Sequence, residues 1–104
     1  MKLTGKCKED FEKWIKADIL SEHRYSELIT NGFSQFPESM QYGVYVDFFD
    51  SVGIRISTNQ FNKEYWFDID PQAEDCECLK TRPEARAAAI EKANEIKNKQ
   101  YDEQ

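Results

Sequence analysis

The sequence predicts an α+β fold, with helices packed on one face of a small antiparallel sheet of two or three strands. Three observations predict it. Apolar residues recur at three-four spacing near the start and again in the last quarter of the chain. Between them the period falls to two, in "IRISTN" and "EYWFDID". Gly53 and Pro71 bound the period-two region, and Asn62 sits in the link between its two segments. The expected order is α-(α)-α-β-β-(β)-α in a single domain, residues 1–104, a length at which roughly two-thirds of the unfolded surface can be buried.

Each element has its own local cause. Cys7, Phe11, Trp14 and Ile15 form the apolar stripe of a first helix at about residues 5–18, with the Thr4 hydroxyl as its expected cap. In "ILSEHRYSELITNGFSQ", Ser21 can cap a short second helix carrying Tyr25, Leu28 and Ile29, closed by Asn31-Gly32. The stretch "FPESMQYGVYVDFFDSVGI" is rich in strand-favouring residues, but as a strand it has no polar side. As a helix it gathers Met40, Val44, Phe48 and Val52 on one ridge flanked by Tyr45 and Phe49. Pro37 suits the first turn and Gly53 the position past the end, whereas Gly43 weakens the helix by ~1 kcal/mol. Helix is the better reading.

"IRISTN" then puts Ile54, Ile56 and Thr58 on one face, and "EYWFDID" puts Tyr65, Phe67 and Ile69 on the matching face. The link "QFNK" makes them a hairpin, Pro71 ends the second strand, and "DCECLK" is a candidate third, edge strand over residues 75–80. "TRPE" is a capping box opening a last helix, with Ala85, Ala89, Ala93 and Ile96 as its stripe, widened by Ala88 and Ile90.

Composition narrows the function classes. The net charge of −6 repels phosphate backbones and anionic lipid at long range. The first dozen residues lack the apolar run of a signal peptide, and no stretch is long enough to span a bilayer. A cytoplasmic, membrane-free protein is expected, as monomer or homodimer. Three cysteines, an odd number, fit reduced thiols better than a disulfide framework.

Two resemblances stand beside this reading. The blocks "LTGKCKEDFEKW", "SMQYGVYVDFFDSVGI" and "TRPEARAAAIEKANEI" together resemble short open reading frames of phages and prophages of gut anaerobic bacteria. That resemblance implies a phage-type origin and carries no activity, cofactor or site residue. From Pro37 onward the order helix, two or three strands, helix resembles the double-stranded-RNA-binding domain. That second resemblance implies a phosphate grip at the start of the last helix, where Lys80, Arg82 and Arg86 stand in "KTRPEARAAA". The family's paired lysines are missing here, and Pro83 and Glu84 interrupt the patch. Nucleic acid is therefore the disfavoured partner.

No catalytic or cofactor motif is complete. Cys7, Cys76, Cys78 and His23 make four possible zinc ligands, but the tight C-x-x-C pairing of structural zinc sites is absent. The run Asp68, Asp70, Glu74, Asp75, Glu77 fails the EF-hand pattern, because Ala73 and Leu79 fill its sixth and twelfth positions. His23 has no nucleophile pattern beside it. The leading expectation is a non-enzymatic module that binds a protein partner, a phage-type accessory or inhibitor without cofactor. Trp66, Arg55 and Asp68 are the candidate contacts, on a sheet face turned from the helices. A nucleic-acid binder and a small metal-dependent enzyme are the alternatives. The purified protein is expected to hold no stoichiometric metal by elemental analysis. About one zinc per chain, lost together with the fold on chelation, would reopen the cysteine set.

Overall fold

The computed structural model describes residues 2–22, 32–70 and 78–102. Three α-helices and one hairpin make up the fold: α1 (Gly5–Glu22), α2 (Glu38–Ser51), β1 (Arg55–Phe61), β2 (Glu64–Asp70) and α3 (Arg82–Asp102). A 3₁₀ turn, Phe33–Gln35, precedes α2. The helices α2 and α3 lie on one face of the antiparallel hairpin, and α1 packs against α3 and α2.

The hairpin closes with a two-residue turn at Asn62-Lys63, where Asn62 adopts φ 58°, a left-handed conformation that Asn tolerates better than most residues. Its register pairs Ile56 with Ile69 and Thr58 with Phe67. Alternation therefore turns Ile56, Phe67 and Ile69 toward the helices, where they join the core. On the outer edge of β2, Tyr65 and Leu79 exchange backbone hydrogen bonds of 3.0 and 2.7 Å. That single bridge is what the described residues show of a third strand; residues 71–77 of that region lie outside them.

The helix reading of "SMQYGVYVDFFDS" holds, and both ends explain why. Pro37 is the residue just before the helix, and its carbonyl accepts from Met40 and Gln41. At the other end Gly53, with φ 87°, allows a Schellman closure. Ile54 N–H donates to the Phe49 carbonyl (2.8 Å) and Gly53 N–H to that of Asp50 (3.2 Å). Val44, Tyr45, Phe48 and Phe49 are the buried residues of α2, whereas Met40 is 48% exposed and falls off the expected ridge. Phe48 packs against Phe11 and Trp14 of α1, and Tyr45 against Phe11 and Phe33, with ring centroids 4.9–5.7 Å apart. In α3, Ala85, Ala89 and Ala93 are fully buried, and their small side chains let the helix lie close to its neighbours.

Two expectations near the start of the chain are corrected. The first helix runs to Glu22, so Ser21 lies inside its backbone and not at a helix start; residues 23–31 of that candidate helix lie outside the described residues. The second correction concerns Thr4. Its hydroxyl accepts from Asn94 Nδ2 (3.0 Å), and the N–H of Cys7 donates instead to Asn98 Oδ1 (3.0 Å). Thr4 N–H donates to Asn94 Oδ1 (3.0 Å), and Asn98 Nδ2 donates to the Thr4 carbonyl (2.9 Å). Two amides one turn apart on α3 thus satisfy donors that α1 leaves open at its own start. Gly5 makes the approach possible. At φ 61° a side chain is strained, and a Cβ there would sit 3.0 Å from Asn98 Oδ1.

At the start of α3 the Thr81 hydroxyl accepts from the N–H of Glu84 (3.3 Å), one half of the expected capping box. Farther along, the ring of Tyr101 has Lys97 Nζ 4.9 Å and Lys6 Nζ 5.7 Å from its centroid, a second tie between α1 and α3.

Asn98→Ala orphans the Cys7 N–H and should destabilise the protein by about 1–3 kcal/mol in urea melts. Gly5→Ala should cost about 1–2 kcal/mol in the wild type. That cost should shrink by more than about 0.5 kcal/mol in the Asn98→Ala background, where the clashing amide is gone. Strict additivity of the two changes would contradict the described contact.

Candidate functional site

The hairpin presents two faces of different character. Its inner face is core. On the outer face alternation places Arg55, Ser57, Asn59 and Phe61 from β1, and Glu64, Trp66, Asp68 and Asp70 from β2. Arg55 stands opposite Asp70, Ser57 opposite Asp68, Asn59 opposite Trp66 and Phe61 opposite Glu64. Asn59 Nδ2 donates to Asp68 Oδ2 at 2.9 Å, a diagonal bond that fixes the Asp68 carboxylate close to Trp66. Trp66 is half-buried and lies outside the main core cluster.

Arg55, Trp66 and Asp68 therefore share one face. Phe61 joins them. It is 67% exposed, the larger exposure of the two large apolar side chains that stand open among the described residues. Read as part of the link "QFNK", Phe61 had no face. Extending the alternation of Arg55, Ser57 and Asn59 by one more step would have placed it beside Trp66.

The basic residues at the start of α3 take different positions from one another. Lys80 and Arg82 are exposed, whereas Arg86 is half-buried. Arg82 turns to the hairpin: its Nη2 donates to Gln60 Oε1 (3.1 Å), and its guanidinium sits 5.9 Å from the Tyr65 ring centroid. Arg86 lies 5.5 Å from the centroid of Tyr42. Burial pushes the Tyr42 phenol above its ordinary pKa, against the opposing pull of a hydrogen bond with Thr58 and the nearby Arg86 charge. Between these arginines and the distal half of the hairpin is a cleft of about 260 Å³, lined by Thr58, Asn59, Gln60, Tyr65, Arg82 and Arg86. Arg82 thus addresses the hairpin and Arg86 the α2 residue Tyr42, and the three cations do not form a single outward patch.

A groove of about 450 Å³ among Leu3, Phe11, Ile15, Phe33 and Tyr45 is apolar, with exposed Lys2, Lys8 and Glu12 at its border. Nothing in the structure shows what covers it. The structure describes two of the four candidate zinc ligands. Cys7 is fully buried in the α1 core face and Cys78 is exposed, while Cys76 and His23 lie outside the described residues. Among the described residues no three His, Cys, Asp or Glu side chains group as metal ligands. Of the acidic run, Asp68 is bound to Asn59, and Glu74, Asp75 and Glu77 lie outside the described residues. No described helix is long and apolar enough to cross a membrane. No known protein family, curated protein or solved structure matches the chain.

Burial pushes the Cys7 thiol from 9.0 up to about 12, with the Lys97 charge opposing, and the Tyr45 phenol also rises through burial. The folded protein holds these protons more tightly than the unfolded chain does. Their contribution to stability is complete below about pH 9 and is lost as the pH climbs toward 12. Urea midpoints should therefore fall steadily above pH 9, and the fall should be shallower in Cys7→Ala. A midpoint independent of pH up to 11 would contradict the burial of these groups.

Proposed function

We propose that this chain is a non-enzymatic interaction module that binds a protein partner through the outer face of its hairpin. One observation carries the reading. Phe61, 67% exposed, stands on the same face as Trp66, and the described helices pack on the opposite face. Aromatic side chains ringed by polar groups are the usual composition of an interface centre.

The rim defines the partner's chemistry. Glu64, Asp68 and Asp70 outnumber Arg55 on this face, and the chain carries a net charge of −6. A complementary surface is therefore basic, with an apolar socket for the two rings. Charge complementarity of this kind accelerates encounter and rejects acidic partners. A phage-type accessory or inhibitor acting on a host protein fits this reading, as does a cytoplasmic setting with reduced thiols.

Trp66→Ala should lower stability by less than about 1.5 kcal/mol, against roughly 3–5 for Phe48→Ala in the core. Affinity capture from the encoding organism, with nuclease present, should recover a basic protein on the wild-type chain. Phe61→Ser and Trp66→Ala should each weaken that complex by ~2 kcal/mol or more, and raised salt should slow its association. Capture that vanishes with nuclease, or that both variants retain in full, would overturn the proposal.

A further inference from the structure

The cleft at the start of α3 has a chemistry of its own, independent of the outer hairpin face. We infer that the cleft between Arg82, Arg86 and the distal hairpin is a binding site for a carboxylate group. Two guanidinium groups line one cavity of about 260 Å³. Among the described residues neither is hydrogen-bonded to, or ion-paired with, a carboxylate; Arg82 is held by Gln60 and Arg86 by its place over Tyr42. Ring contacts orient a guanidinium plane without neutralising its charge. The cleft therefore holds two positioned cations and no described anion.

The donors that remain set the ligand's shape. Arg82 has Nη2 engaged with Gln60, and the Nε of Arg86 is buried without an acceptor. Arg86 is left with its terminal nitrogen pair, the fork that matches the two oxygens of one carboxylate. Thr58, Asn59 and Tyr65 complete the wall. The ligand's charge follows from the whole molecule. A chain of net charge −6 repels a dianionic phosphate about twice as strongly as a monoanion, so the local attraction is offset least for a carboxylate. Such a group reaches the cleft either on a small organic acid or at the free carboxyl end of a peptide.

The test is a set of NMR titrations at constant ionic strength with chloride as control. The probes are acetate, hexaglycine with a free carboxyl end, hexaglycine amide, and inorganic phosphate. Saturable shifts at Gln60, Tyr65, Arg82 and Arg86 with acetate and free-acid hexaglycine, absent with the amide, are the expected result. Free-acid hexaglycine binding more tightly than acetate identifies a peptide end, and equal affinity identifies a small acid. Arg86→Lys keeps the charge and loses the fork, and should weaken binding about tenfold. Arg82→Gln should weaken it as well, with folding of both variants checked by their amide spectra. Shifts no larger than those of chloride, binding unchanged in folded Arg86→Lys, or phosphate binding more tightly than acetate would each overturn the assignment. Phe61→Ser should leave these titrations unchanged, so failure here is distinguishable from failure of the protein-binding reading.

Discussion

A two-stranded hairpin cannot hold itself together in water, and this constraint shapes the rest of the molecule. Ile56, Phe67 and Ile69 need cover, and α2 and α3 supply it from one side. The alanine stripe of α3 lets that helix approach closely, and the aromatic ridge of α2 fills the space beside it. α1 then closes over the opposite side of the ridge through Phe11 and Trp14. The described helices cover one face of the sheet only, so the hairpin is both the element that most needs support and the one that offers a surface.

Local sequence signals read well wherever a structural choice is made within one turn of chain. The helix at residues 38–51 was ambiguous by composition, since "VYVDFF" is dense in β-branched and aromatic residues. Its ends resolved it, because Pro37 and Gly53 fit helix boundaries and nothing in a strand. The hairpin and the last helix were legible for the same reason. What stayed hidden depends on distant partners. Asn94 and Asn98 look like ordinary solvated positions in "KANEIKNK", and no local pattern says that they face Thr4 and Cys7. By sequence Thr4 fits a local cap, because Thr commonly is one. Here a better acceptor arrives from another helix, and the hydroxyl turns to receive an amide in exchange.

The candidate surfaces divide along the same line. That Trp66, Arg55 and Asp68 share a face follows from strand alternation alone. Phe61 required the strand's true end, a boundary that propensity fixes poorly. The inward turn of Arg82 and Arg86 could not be read at all. A basic residue near the start of an exposed helix normally points to water, and here Gln60 and Tyr65 of the hairpin engage Arg82 while Tyr42 of α2 engages Arg86. Within the hairpin region the described carboxylates Glu64, Asp68 and Asp70 lie on the outer sheet face beside Arg55, and the guanidinium groups of Arg82 and Arg86 lie on the inner side beside α3.

The amide clamp also bears on the order in which the fold assembles. Its bonds join residues 90 to 94 positions apart, so they close a loop of almost the whole chain. The entropy of such a closure grows with loop length, and it is repaid only when the intervening helices and hairpin already bring the two segments together. A contact that forms only after the main barrier acts on the rate of leaving the native state and not on the rate of reaching it. Asn94 and Asn98 would thus serve as a latch: folding proceeds at nearly its own pace without them, and what they lengthen is the lifetime of the closed molecule.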